Sequence, residues 1–137
     1  MPLVRIAMFK GKPPEYIKAL SDSVHKALVE AYEMPSGDRF QIIDQFEPGT
    51  LIFDRNYWGG PRSDDFLLIS ITSGERVPKV KEAFFKRLVE TLSESPGVRP
   101  EDVFVHLDCT AQPEDWSFSN GVPAAKMIRV RLLFIDA

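Results

Sequence analysis

The chain has a single cysteine and only two histidines among its 137 residues. One thiol, Cys109, excludes an internal disulfide and fits a reducing compartment, so a cytoplasmic location is expected. Cys109 falls late in an apolar strand pattern, where a buried structural thiol is expected rather than a nucleophile. His25 and His106 lie far apart, and no clustered spacing of ligand residues suggests a metal site. Long apolar runs are also lacking. None approaches the roughly 18 residues a membrane span needs. Basic excess is missing too: 17 Lys and Arg stand against 20 Asp and Glu, a net charge of -3, so there is no electrostatic case for nucleic acid. Gly59-Gly60 lacks the strand-to-helix setting of a phosphate loop, and nothing implies a nucleotide or a dissociable cofactor. The amino end reads as a strand rather than a charged stretch with an apolar core, so no secretory leader is expected.

What is present is ordinary for a soluble globular protein: 44% apolar and 27% charged residues in a length that suits one domain, residues 1–137. Residues 3–9 read as a strand apolar on both faces. Gly11 breaks it, and Pro13-Pro14 suits a helix start, where the missing N–H costs nothing. From Glu15 to about Glu33, Ile17, Leu20, Val24, Ala27, Leu28 and Ala31 recur at helical spacing. Pro35-Ser36-Gly37-Asp38 turns the chain into a second strand, 40–46. A short third strand is expected over 50–53, then an irregular connector through Asn56-Tyr57-Trp58-Gly59-Gly60-Pro61.

The pattern then restarts. Residues 66–72 form a buried strand, and Gly74 breaks it about 63 residues after Gly11. Val77 to about Ser95 is amphipathic, with Val80, Phe84, Leu88 and Leu92 along one stripe. Pro96-Gly97 stops it, and 103–107 is another strand. The chain is thus an α/β (α+β) fold built as a tandem β-α-β repeat, units about 2–47 and 66–108. Each helical crossover makes its flanking strands parallel. A four-stranded mixed sheet with two helices on one face is expected. The bare face would expose apolar strand residues, which predicts an oligomer that covers it. In the tail, Trp116 and Phe118 bring two aromatics, and residues 127–135 read as a terminal strand.

Position two carries distinctive chemistry. Pro2 follows Met1, and a small residue there lets the Met be trimmed. The mature chain would then begin with proline, whose nitrogen is a free secondary amine. An α-amino group titrates near 7.7–8.0 in the unperturbed state. Burial lowers that value and a nearby carboxylate raises it. Such a nitrogen can serve as a general base or as a fixed cation near neutral pH.

Pro2, the tandem β-α-β pattern and the expected oligomer together resemble the tautomerase superfamily, over roughly residues 2–121. The resemblance sharpens toward its malonate semialdehyde decarboxylase-like branch. It is carried by Pro2-Leu3, Pro35-Ser36-Gly37-Asp38-Arg39-Phe40-Gln41, Pro48-Gly49, Arg76 after strand 66–72, Pro100-Glu101-Asp102-Val103 and Asp115-Trp116-Ser117-Phe118. It implies a homotrimer of the kind formed by macrophage migration inhibitory factor, with Pro2 as the catalytic proline. Asp38, otherwise a plain turn residue, corresponds to the aspartate placed near that proline. Arg76 corresponds to one of two arginines that bind a substrate carboxylate. Trp116 and Phe118, otherwise ordinary packing under a loop, correspond to aromatic pocket walls. The branch's other arginine falls at Gly74, so a second cation would have to come from Arg39, Arg62 or Lys12.

Three functions follow from the resemblance. The first is decarboxylation of a small β-keto acid such as malonate semialdehyde, or hydration of an unsaturated acid, without a cofactor. A cationic Pro2 would polarise the carbonyl and Arg76 would hold the carboxylate. A Schiff base on Pro2 is a chemical variant. The second is keto–enol tautomerism of a 2-oxo acid, which needs a neutral Pro2; Asp38 works against that. The third is a non-enzymatic trimer that binds a ligand.

Overall fold

The computed structural model describes residues 2–127. Its elements run β1 (Leu3–Phe9), α1 (Pro14–Ala31), β2 (Gln41–Phe46), β3 (Leu67–Thr72), α2 (Pro78–Glu94) and β4 (Val103–Asp108), with single 3-10 turns at Pro100–Asp102 and Pro113–Asp115. The repeat is explicit: Leu3 and Leu67 open equivalent strands, and Pro14 and Pro78 open equivalent helices. Both helices begin on proline because the first-turn N–H has no intrahelical partner to lose. α2 ends where Gly97, at φ +101°, lets the N–H groups of Gly97 and Val98 return to Leu92 O at 3.0 and 2.8 Å.

The sheet order is β2-β1-β3-β4. β1 pairs parallel with β2, β3 parallel with β4, and the two units meet antiparallel at β1–β3. Strand alternation sends Val4, Ile6, Met8, Leu67, Ile69 and Ile71 under the helices. There they meet Leu20, Val24 and Leu28 of α1 and Phe84, Leu88 and Leu92 of α2, all buried. Each such side chain stabilises the fold by about 1.5–3 kcal/mol. The helices are also tied directly: Thr91 Oγ1 donates to Ser23 O at 3.0 Å, and Arg87 pairs with Glu30 at 2.6 Å.

The opposite face has no helix among the described residues. It presents Ile42 and Phe104, 39% and 45% exposed. It also carries the Arg5–Asp44 ion pair at 3.2 Å, Ser70 and His106, so it is mixed rather than wholly apolar.

Two expectations change. Residues 50–53 do not form a strand; only a Pro48–Leu51 bridge occurs. Thr50 spends its N–H and hydroxyl on Glu47 O, at 3.2 and 2.9 Å, closing a local turn instead of joining a ladder. Met127, expected to open the terminal strand, lies in a helical turn over 124–127. The rest of that expected strand falls outside the described residues.

Candidate active site

Strand register brings the candidate residues to one end of the sheet. Pro2 is buried at the amino end of β1. The Leu3–Thr72 pairing sets it beside Ser73, where β3 ends. Val4 N–H donates to Phe40 O at 3.0 Å, so the residues entering β2 lie along its other side. The Thr72–Asp108 pairing brings Cys109 to the same end. The topology requires this meeting: the starts of β1 and β2 face the finishes of β3 and β4.

Asp38 is half-buried in the turn before β2, with its N–H donated to Pro35 O at 3.0 Å. His25 pins that turn to α1 by donating Nε2–H to Ser36 O at 2.8 Å. Arg39 reaches α1, where Nη2 meets Asp22 at 2.6 Å and Ser21 Oγ at 2.8 Å. Lys12 pairs with Asp65, and Arg62 donates to Asp54 O at 3.0 Å, both at the opposite end of the sheet. The three cations considered as partners for Arg76 are therefore engaged elsewhere.

Arg76 is half-buried and held by backbone. Nε donates to Tyr32 O at 3.0 Å, and Nη1 to Gly74 O and Glu75 O at 3.3 and 3.0 Å. Its Cζ lies 4.7 Å from the Tyr32 ring centroid. Among the described residues no carboxylate lies within ion-pair distance of it, and none of them compensates its charge. Arg76 and Cys109 line a cleft of about 770 Å³ with Lys81, His106 and Thr110. A Cβ on Gly74 would meet Ala111 O at 3.7 Å and Arg76 Nη1 at 3.8 Å, ordinary contacts.

The tail returns to the same end. Trp116 stacks on Phe118 at 6.0 Å, and Phe118 on Phe40 at 5.9 Å. Trp116 O accepts Ala124 N–H at 2.8 Å, which closes the loop carrying both rings. Among the described residues, no group of three or more His, Cys, Asp or Glu side chains could hold a metal ion. No described helix is long and apolar enough to cross a membrane.

Comparison with known proteins decides the family. One family model described as tautomerase enzyme matches residues 38–119, and a second of the same description matches residues 2–58. The probable tautomerase YusQ of Bacillus subtilis (strain 168) is 34% identical over 122 residues, covering 88% of this chain and 95% of YusQ. The chain belongs to the tautomerase family. Among solved structures, a malonate semialdehyde decarboxylase, described with decarboxylase and hydratase activities, matches at 32% identity and a TM-score of 0.86. The match covers 93% of this chain and 98% of the decarboxylase. A symmetric trimer of fused 4-OT shares the fold at 21% identity and a TM-score of 0.72, over 90% of this chain and 96% of its own.

This tautomerase-family site also contains residues that sequence reasoning missed. Tyr32 caps α1 and is fully buried. Its hydroxyl lies 2.7 Å from Ser73 Oγ and 3.2 Å from Cys109 Sγ. Burial, then the Cys109 contact, push its phenol up to about 12, against a smaller lowering by Ser73 and Arg76. A signal was present: a tyrosine on a buried helical stripe needs a partner for its hydroxyl, and Ser73 at a strand end offers one.

Proposed function

We propose that this protein is a cofactor-independent enzyme that decarboxylates, or hydrates, a small β-keto or unsaturated carboxylic acid such as malonate semialdehyde. It would act as a cytoplasmic homotrimer, with Pro2 as its free amino terminus once Met1 is removed. The observation that carries the reading is Arg76: a half-buried guanidinium, aimed by three carbonyls and a ring, with no carboxylate to cancel it among the described residues. A cation kept uncompensated at the Pro2 end of the sheet suits an anionic substrate.

In the proposed reaction Arg76 holds the carboxylate and a cationic Pro2 donates a hydrogen bond to the carbonyl oxygen two carbons away. The bond to the carboxylate breaks, CO2 leaves, and the electron pair moves toward the carbonyl to form an enol. Protonation at carbon then gives the aldehyde. Charge developing on oxygen is stabilised by Pro2, a type of contribution often worth several kcal/mol. Asp38 holds Pro2 charged, or orients water for hydration. Trp116 and Phe118 wall the pocket with apolar surface, which favours loss of the carboxylate charge. Arg39 is left out of this assignment because Asp22 and Ser21 occupy it.

A second reading, keto–enol tautomerism of a 2-oxo acid, is favoured by the similarity to a probable tautomerase. It requires a neutral Pro2. The test begins with an intact-mass spectrum, then assays on malonate semialdehyde and phenylenolpyruvate. CO2 release lost in Pro2→Ala supports the decarboxylase reading. Ketonisation alone, lost in the same variant, supports the tautomerase. Activity with Met1 retained, or a Pro2→Ala variant unchanged on every substrate, overturns both; no activity on any substrate leaves a ligand-binding trimer.

A further inference from the structure

We propose that Tyr32 is the positioning residue for Arg76: from beneath the site it fixes the direction of the guanidinium and ties it to the strand end beside Pro2. The proposal rests on Arg76 being the carboxylate anchor, but its test separates the two ideas.

Tyr32 grips the 73–76 segment at three points. Its main-chain carbonyl accepts Arg76 Nε–H at 3.0 Å. Its ring lies 4.7 Å below Arg76 Cζ. Its hydroxyl reaches Ser73 Oγ at 2.7 Å. One side chain thus holds both the residue next to Pro2 in the β1–β3 register and the cation three positions later.

The Tyr32 hydroxyl belongs to a short hydrogen-bonded chain that reaches Gly74 O through Ser73. Ser73 Oγ donates to Gly74 O at 2.8 Å, with Cys109 Sγ a more distant acceptor at 3.8 Å. Tyr32 Oη lies against Ser73 Oγ at 2.7 Å and Cys109 Sγ at 3.2 Å. The chain ends on Gly74 O, which also accepts from Arg76 Nη1 at 3.3 Å. Hydroxyl and guanidinium therefore converge on one carbonyl, so moving the Tyr32 hydroxyl moves an acceptor of Arg76.

The choice of partner matters chemically. A carboxylate beneath Arg76 would hold it more firmly, but would cancel the charge a substrate needs. Carbonyl dipoles and a ring face orient the guanidinium and leave its full charge outward. Filling the core explains less. Tyr32 packs on Phe84 at 4.9 Å, a contact phenylalanine would make equally well. The hydroxyl chain is the part that packing does not require.

The experiment uses the full-length protein and the variants Tyr32→Leu, Tyr32→Phe, Ser73→Ala, the Tyr32→Phe/Ser73→Ala double and Arg76→Lys. Two readouts are taken: steady-state kinetics on malonate semialdehyde, and the rate at which phenylglyoxal modifies Arg76, followed by peptide mass spectrometry. Loss of the ring contact in Tyr32→Leu should raise KM about tenfold with kcat within about threefold, and should speed modification of Arg76. Tyr32→Phe and Ser73→Ala break the same link, so each should raise KM about threefold, and the double variant no further. Wild-type KM and modification rate in a folded Tyr32→Leu overturn the proposal. If that variant does not fold, wild-type values in both Tyr32→Phe and Ser73→Ala overturn it. Faster modification of Arg76 in the Tyr32 variants, with kinetics that an Arg76→Lys change leaves untouched, keeps the positioning role and overturns the anchor reading.

Discussion

Phe118 lies on Phe40 with ring centroids 5.9 Å apart and planes 23° apart, and Phe40 is the residue whose carbonyl takes the N–H of Val4. The tail loop is thereby fastened to the segment entering β2 and, through it, to β1 just after Pro2. Stacked pairs of this kind add about 0.5–1.5 kcal/mol beyond their buried area. Because Phe118 is 40% exposed, its burial contributes modestly. Phe118→Ala should cost about 1–2 kcal/mol, read from a denaturant midpoint at unchanged slope. If Phe118 walls the pocket as proposed, its effect on kcat/KM should exceed tenfold, because that wall is lost with the loop. A variant that loses stability and keeps full activity would remove the aromatic wall from the site.

Asp102 is completely buried, and its carboxylate takes both the N–H and the hydroxyl of Ser63 at 2.6 Å. This clamp fixes the loop before β3 to the start of β4, at the sheet end away from Pro2. Burial alone would push the carboxyl up, but the two Ser63 bonds and Arg99 outweigh it and hold it below the usual range. The sign follows: a depressed folded-state value gives stability that is full above the unfolded-state value near 3.9 and fades as pH falls through the folded one. Asp102→Ala should cost about 1–3 kcal/mol, since it strands two part-buried donors of Ser63. The melting temperature of the variant should also fall less steeply below about pH 4 than that of the parent. Equal acid sensitivity in the two proteins would exclude Asp102 as the group responsible.

Tyr32 gives the opposite sign at the alkaline end. Its phenol is pushed up to about 12 by burial and by Cys109. The resulting stability is intact below the unfolded-state value near 10 and is lost as pH climbs from there toward the folded value. Spectroscopic titration near 295 nm should show a phenol that ionises only as the protein unfolds. Tyr32→Phe should lose that step and unfold at higher pH relative to its own neutral-pH stability. A Tyr32 phenol that titrates near 10 in the folded protein would contradict the buried chain of donors.

Much of this architecture was legible in the residues. Periodicity placed both helices and the four main strands, and the repeat predicted the parallel pairs, because Pro14 and Pro78 punctuate equivalent positions. What escaped was decided by competition for local hydrogen bonds. Thr50 turns its donors on Glu47 instead of a neighbouring strand. Arg39 meets Asp22 of α1 at 2.6 Å, a contact spanning 17 residues that no local pattern announces. Tyr32 was passed over for the same reason. It belongs to the first repeat, while Ser73, Arg76 and Cys109 belong to the second, and only the packing of α1 on the sheet joins them.

Gly74 offers the sharpest test of the anion site, because the structure leaves room to change it. A Cβ there would sit 3.7 Å from Ala111 O and 3.8 Å from Arg76 Nη1, and the backbone is not in the left-handed region that would exclude a side chain. Gly74→Arg would set a second guanidinium beside an uncompensated first. In the empty site the two cations repel. Replacing glycine, which removes freedom from the unfolded chain, offsets about 0.4–1 kcal/mol of that cost. Stability should therefore fall by no more than about 1 kcal/mol at physiological salt and recover as salt screens the pair. Once a carboxylate binds, both cations can share it, and charge-assisted pairs are the strong ones. KM for a small carboxylic acid should fall about tenfold while kcat moves little, the signature of binding that substrate and transition state share. A KM that rises, with the stability loss insensitive to salt, would mean that the space beside Arg76 is not where a carboxylate is held.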